Sequence, residues 1–193
     1  MKRRQSSIAG LLPIFLLMTI TLAGCAYERI DMFAGGDFIS SGTILSHYRD
    51  VEVTRSGLLL KPGARFAIKT TGMTQFLGQF DVAILAGQGM NVYMRTLTNE
   101  FDTTHGIQFR YATDGSSVRQ SDGTTIPLNY NAETEQQTLS FYNEADLVWI
   151  AAGCKRLYED QTTLPGTEYL IFETLPNSTV ELRAVTYFDT NME

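Results

Sequence analysis

The chain has two thiols, Cys25 and Cys154, and each follows a short run of small apolar residues. A thiol can be acylated, can form a disulfide, or can act as a nucleophile when a neighbouring histidine lowers its pKa. The two histidines, His47 and His105, are distant from both cysteines in the sequence, and nothing around them indicates a Cys-His nucleophile. The role of each cysteine therefore has to be inferred from the residues around it.

The segment before Cys25 has the layout of an export signal. Basic residues at 2–4 precede an apolar stretch at 8–22, which is shorter than a membrane span. The stretch ends in Leu22-Ala23-Gly24-Cys25, which resembles the lipobox of bacterial lipoproteins. The resemblance implies cleavage before Cys25, a diacylglycerol thioether on its sulfur, and usually a third, palmitate-type acyl chain on the new amino terminus.

This resemblance divides the chain into a signal peptide at 1–24, a lipidated tether at 25–36 and a single domain at 37–193. Because two or more acyl chains hold a protein on a bilayer, it implies a membrane-anchored protein of the cell envelope. The residue after the cysteine is Ala26, not Asp. The absence of Asp at this position implies the outer membrane if the source is Gram-negative.

Cys154 lies inside the predicted domain, directly after the apolar run "DLVWIAAG". We expect this run to be a buried strand, with Trp149 in the core and Cys154 a buried, inert thiol. An intermolecular disulfide is the alternative for an unpaired cysteine in an exported protein.

The formal net charge is −6, and the basic residues at 2–4 belong to the predicted signal, so the exported body is more acidic still. An acidic body has no electrostatic footprint for nucleic acid. It also repels anionic headgroups, so the acyl chains must hold the protein to the membrane. Two histidines and one remaining cysteine argue against a zinc site.

The body alternates apolar and polar residues with a period of two, as in "RFAIKT" at 65–70, "QFDVAILA" at 79–86 and "GIQFRYA" at 106–112. Turn residues interrupt these strings, including Lys61-Pro62-Gly63 and Asp114-Gly115. The pattern predicts about ten strands and no helices. We therefore expect an all-β fold, a two-sheet antiparallel β-sandwich of jelly-roll type.

The order "GLLLKPGARFAIKT", "FDVAILAGQGMNVYMRT", "GIQFRYATDG" and then "DLVWIAAGCKRLYED" resembles the concanavalin A-like lectin/glucanase sandwich, over roughly residues 37–189. The resemblance implies a glycan as the ligand class. It is compatible with a binding module and with a glycan hydrolase or lyase.

Hydrolases of that fold carry E-x-D-x-x-E on one strand, because a retaining mechanism needs two carboxyls about 5 Å apart. The nearest string here is "EFDTTH", with Glu100 and Asp102 but His105 at the position of the acid/base. We expect a polar loop at this point and assign no catalytic residue.

A second acidic group comprises Glu133, Glu135, Glu144 and Asp146. Glu144 and Asp146 flank a single residue before a predicted strand, where carboxylate oxygens suit Ca²⁺. They are the candidate ligands of a metal site, with Ca²⁺ as the ion. A solvated rim is the alternative.

Ligand-binding candidates are Tyr93, Arg95 and Tyr111. If Val92 and Met94 line the core, alternation puts Tyr93 and Arg95 on the outward face of the same strand. Tyrosine rings stack on sugars, and arginine reaches hydroxyls. The favoured function is non-catalytic glycan binding or a structural role. The alternatives are an enzyme with an unfamiliar site and an assembly subunit with an exposed apolar patch.

Overall fold

The computed structural model describes residues 28–31, 45–54, 57–69, 76–96, 106–144, 146–161 and 169–189. These residues form thirteen antiparallel strands and no helix, which confirms the predicted all-β class. The strands are β1 Glu28–Asp31, β2 Leu45–Val53, β3 Leu58–Lys69, β4 Phe76–Ala86, β5 Gly89–Thr96, β6 Ile107–Ala112, β7 Ser117–Arg119, β8 Thr125–Pro127, β9 Gln137–Glu144, β10 Leu147–Ala152, β11 Lys155–Gln161, β12 Tyr169–Thr174 and β13 Thr179–Asp189. Within this described part, no helix has the length and apolar character needed to cross a bilayer.

The strands are hydrogen-bonded in the order β11-β10-β9-β4-β13-β3-β12-β5-β6-β7-β8, with β2 beside β3 and β1 beside β13. The path folds over into two layers. We name β11-β10-β9-β4-β13 sheet A and β12-β5-β6-β7-β8 sheet B, and β3 joins them. The predicted lipid site, Cys25, and the "EFDTTH" string lie outside the described residues, whereas Glu28–Asp31 of the predicted tether pair with β13.

The connection between the layers is a bend within β3. The first part of β3 pairs with β13, through Leu60 and Val180, and the second part pairs with β12, through Arg65 and Glu173. Lys61-Pro62-Gly63 lies between them, and Gly63 has a φ of 78°. The expectation that this turn sequence ends a strand is wrong, because the chain bends there and continues into the second sheet.

An aromatic cluster fills the space between the layers. Phe172 of sheet B lies 4.8 Å from Phe80 of sheet A and 4.8 Å from Phe66 of β3, measured between ring centroids. Phe141 of sheet A completes the cluster, with its ring perpendicular to that of Phe172. These rings are almost fully buried. Their contacts cross from one sheet to the other, so they hold the sandwich closed.

Candidate functional site

Tyr93 lies on the outward face of sheet B, as alternation predicts, but it is not open to solvent. Its side chain is packed with Ala67 and Ile171, and it is 4% exposed. The hydroxyl donates to Glu173 Oε2 at 2.6 Å and accepts from Asn91 Nδ2 at 3.3 Å. Burial, followed by the hydrogen bond to Glu173, raises the pKa of Tyr93 far above its ordinary value.

Arg65, Glu173 and Asn91 are directly opposite one another on three adjacent strands around Tyr93. Within the described chain, Arg65 Nε and Nη2 and Asn91 Oδ1 are buried and have no hydrogen-bond partner. Unpartnered buried groups are uncommon in folded proteins. This Tyr93 cluster (Arg65, Asn91, Tyr93 and Glu173) is therefore a partly buried polar group, with these three atoms closed to solvent.

The prediction that Arg95 shares the outward face of Tyr93 is wrong. Arg95 has a φ of 56°, a left-handed conformation that breaks the alternation of β5. Its guanidinium runs between the sheets, where Nε donates to Asn143 Oδ1 at 2.7 Å and Nη2 donates to the Glu144 carbonyl at 2.6 Å. Burial lowers the pKa of Arg95, and the nearby carboxylates of Asp146 and Asp160 oppose that shift.

Tyr111 is also not part of an accessible surface. Its exposure is 0%, and its ring stacks on Tyr130 with 6.2 Å between centroids. Burial raises the pKa of Tyr111 far above its ordinary value. Ile107, Phe109 and Tyr111 do share one face, as predicted, but that face is the core. Tyr111 therefore offers no exposed ring to a ligand, and its role in binding stays a prediction.

The acidic group does not assemble into a metal site. Glu144 accepts from the Tyr142 hydroxyl at 2.6 Å, whereas Glu133 accepts from Gln137 on an exposed loop. Asp146 is exposed. Among the residues that the structure describes, no three carboxylate, imidazole or thiol groups converge. The four acids therefore form no such group in the described chain, and a Ca²⁺ site at Glu144 and Asp146 stays a prediction.

Cys154 is exposed, not buried as expected. It follows Gly153 in the two-residue hairpin turn between β10 and β11, where Ala152 is opposite Lys155. Gly153 has a φ of 55°, which suits the first position of a tight hairpin turn. Gly153 and Cys154 therefore form a hairpin turn, and the pair is unrelated to the similar string before Cys25.

Trp149 lies outside the core, contrary to the sequence expectation. It is half-buried on the outward face of sheet A, while Val148 and Ile150 on either side of it are fully buried in the core. Its ring stacks on Tyr142 with 5.3 Å between centroids and 13° between planes. On the neighbouring strand β11, the guanidinium carbon of Arg156 lies 4.7 Å from the centroid of the Trp149 ring. We call Tyr142, Trp149 and Arg156 the Trp149 stack.

Strand register builds this stack. Tyr142 of β9 is directly opposite Trp149 of β10, and Glu159 of β11 is directly opposite Trp149 on its other side. The pairing of β10 with β11 shifts between Ile150 and Ala151. That bulge turns Arg156 to the same face as Glu159, three residues away, and the two form an ion pair.

Hydrogen-bonding groups continue along the same face of sheet A. Gln79 donates to Ser140 at 3.4 Å, and Thr138 donates to Asp81 Oδ1 at 2.6 Å. Burial and the hydrogen bond to Glu144 raise the pKa of Tyr142 to about 12, so its hydroxyl stays protonated at neutral pH. The face therefore combines flat rings with donors and acceptors, which is the chemistry that sugars need.

Two sequence signals could have located this face. Val148 and Ile150 must share one face if the strand is half-buried, and parity then puts Trp149 on the other. The neighbouring "TLSFYN" string puts Tyr142 opposite in parity to Phe141. The uninterrupted apolar run around Trp149 masked the alternation, because such a run is also typical of a strand buried on both faces.

Comparisons with known proteins bear on the fold. No family model and no curated protein matches the sequence. A solved sialidase aligns over 86% of this chain with a TM-score of 0.64 and 12% identity, and this chain spans 19% of that protein. The carbohydrate recognition domain of Emp46p, in a potassium-bound form, aligns over 84% of this chain and 96% of its own, with a TM-score of 0.60 and 8% identity.

The carbohydrate binding module CBM66 from Bacillus subtilis aligns over 75% of this chain and 93% of its own, with a TM-score of 0.53 and 13% identity. Similarity at these identities concerns the fold. The chain has a lectin-type β-sandwich, which confirms the predicted concanavalin A-like architecture.

Proposed function

We propose that this protein is a non-catalytic glycan-binding module, held at the cell envelope by a lipid on Cys25, with the Trp149 stack as its binding surface. The observation that carries the proposal is the position of Trp149. An indole side chain gains most from burial, yet this one stands on an outward sheet face between Tyr142 and Arg156.

The surroundings of the stack support a sugar ligand. Amide, hydroxyl and carboxylate groups lie on the same face as the Trp149 stack and can form hydrogen bonds with sugar hydroxyls. Two proteins of similar fold are described as a carbohydrate recognition domain and a carbohydrate binding module. The large apolar side chains exposed in the described part, Val53 and Leu85, belong to different strands, which favours binding over the assembly alternative.

The lipid anchor is supported by the sequence. Leu22-Ala23-Gly24-Cys25 follows a basic and then an apolar segment, as in bacterial lipoproteins. An acidic body gains nothing from anionic headgroups, so acyl chains would supply the attachment. The anchor would keep the glycan-binding body at an envelope surface, in the outer membrane if the source is Gram-negative.

A glycan array tests the function. The full chain would be purified in a detergent without a sugar headgroup and compared with Trp149→Ala and Tyr93→Phe. We expect the full chain and Tyr93→Phe to bind the same glycans and Trp149→Ala to lose them. The opposite result, with loss only in Tyr93→Phe, would move the site to the Tyr93 cluster of sheet B. No binding by the full chain would refute the proposed function.

A further inference from the structure

Side chains from the strands on both sides of β10, Tyr142 of β9 and Arg156 of β11, cover the ring of Trp149. Tyr142 stacks on one face, and the Arg156 guanidinium lies over the ring with its carbon 4.7 Å from the centroid. A sugar ring that stacks on an indole needs one of its ring faces. A ligand must therefore displace one of the two covering side chains or be restricted to the ring edges.

Tyr142 and Arg156, the two side chains that cover the indole, differ in how firmly their own contacts hold them. Tyr142 is directly opposite Trp149 in the ladder, and its hydroxyl donates to Glu144 Oε2 at 2.6 Å. The Arg156 side chain is 51% exposed, and its partner Glu159 is 50% exposed. Exposed ion pairs and exposed cation–π contacts are weak, so Arg156 is the cover that a ligand displaces.

The charge of the surrounding face limits which ligand can do this. Arg156 is paired with Glu159, and Arg183, the other described arginine on this face, is paired with Glu181 at 2.7 Å. Two further carboxylates, Asp81 and Glu144, lie on the same face. The acids of this face thus outnumber its bases among the described residues. A uronic or sulfated sugar approaching Trp149 would meet net repulsion.

We infer that Arg156 is the specificity-determining residue of the Trp149 stack: the site takes uncharged sugar units, and the bound sugar ring replaces Arg156 on the indole. This inference rests on the proposed glycan-binding function. The alternative is that Arg156 contacts an acidic sugar directly. Removal of Arg156 separates the two: it should strengthen binding if the sugar displaces Arg156 and weaken binding if the sugar contacts it.

The test uses the one tryptophan of the chain as its reporter. Trp149 fluorescence of the full chain would be followed on titration with neutral oligosaccharides (cellohexaose, xylohexaose and mannohexaose) and with the acidic hexagalacturonate. We expect a neutral oligosaccharide to shift the emission and to bind Arg156→Ala about three- to tenfold more tightly than the unmodified chain, since no cover has to be displaced.

Arg183→Ala is the matched control, because it removes the other ion-paired arginine of the same face away from the indole. We expect its affinity to equal that of the unmodified chain. Preference for hexagalacturonate, together with weaker binding by Arg156→Ala, would overturn the inference and leave the binding function standing. Unchanged affinity in Arg156→Ala would also overturn it. No response of any variant to any of these sugars, with no hit on the glycan array, would remove the proposed function and this inference together.

Discussion

Arg95 Nε donates to Asn143 Oδ1 at 2.7 Å, and this bond joins the end of β5 in sheet B to the end of β9 in sheet A. Both side chains are buried, with 1% exposure each. The second bond of the guanidinium, to the Glu144 carbonyl, ties it to the backbone just before Asp146. Arg95 is therefore a cross-layer link at one end of the sandwich, and its left-handed backbone is the conformation that turns it inward.

Replacing Arg95 tests this link. Arg95→Ala removes the charge-assisted hydrogen bonds to Asn143 and to the Glu144 carbonyl, so we expect the free energy of unfolding to fall by about 3 kcal/mol. Arg95→Gly loses the same bonds but relieves the left-handed φ, so it should be about 1 kcal/mol more stable than Arg95→Ala. Urea unfolding followed by circular dichroism measures both. If Arg95→Ala were as stable as Arg95→Gly, or more stable, the result would contradict backbone strain at this position.

The aromatic core predicts a larger loss at Phe172. Phe172→Ala removes ring contacts to Phe66, Phe80 and Phe141 and leaves a cavity between the sheets. We expect a loss of about 3–5 kcal/mol in the free energy of unfolding. Phe172→Leu keeps most of the volume and should lose clearly less. A loss below about 1 kcal/mol in the alanine variant would show that the layers are not closed by this cluster.

Stability should fall at alkaline pH through Tyr158. Burial, with Asp160 beside the hydroxyl, raises its pKa to about 12 against the opposing hydrogen bond from Gln120. The unfolded chain loses this proton near pH 10, while the folded chain keeps it to near pH 12, so stability present below pH 10 is lost across this window. Thermal unfolding at pH 9 to 11.5 should show a shallower fall for Tyr158→Phe. Equal slopes would show that Tyr158 does not contribute.

The anchor gives a prediction that is independent of the body. Cys25→Ser removes the sulfur on which the diacylglycerol thioether forms, so the protein should leave the membrane pellet for the soluble fraction of the producing cells. Cys154→Ser is the control and should stay with the membranes. Mass spectrometry of the amino-terminal peptide gives a second measurement, which should show an acylated Cys25. A Cys25→Ser protein that still pellets would point to another form of attachment.

The strands and the faces of several of them were predictable because alternation is a strong signal. Phe80, Val82 and Ile84 all face the core of sheet A, as their spacing indicates. The errors lie where one residue changes the periodicity. Arg95 reverses its side chain through a positive φ, and an arginine, unlike glycine, asparagine or aspartate, gives no signal of such a conformation in the sequence.

The candidate site was harder to predict because it depends on pairing across three strands. Nothing in the sequence gives the register that sets Tyr142 opposite Trp149, or the bulge that turns Arg156 toward the indole. Likewise, Lys61-Pro62-Gly63 has the composition of a strand-ending turn, and only the partners of β3 on either side show that it is a corner between sheets.

The most direct test of glycan binding at the Trp149 stack is isothermal titration calorimetry with the strongest glycan from the array. The affinity should fall from the unmodified chain to Trp149→Phe, and Trp149→Ala should show no measurable heat while unfolding at nearly the same temperature, because Trp149 lies outside the core. Full affinity in a folded Trp149→Ala protein would contradict the account, since the ligand would then bind elsewhere on the sandwich.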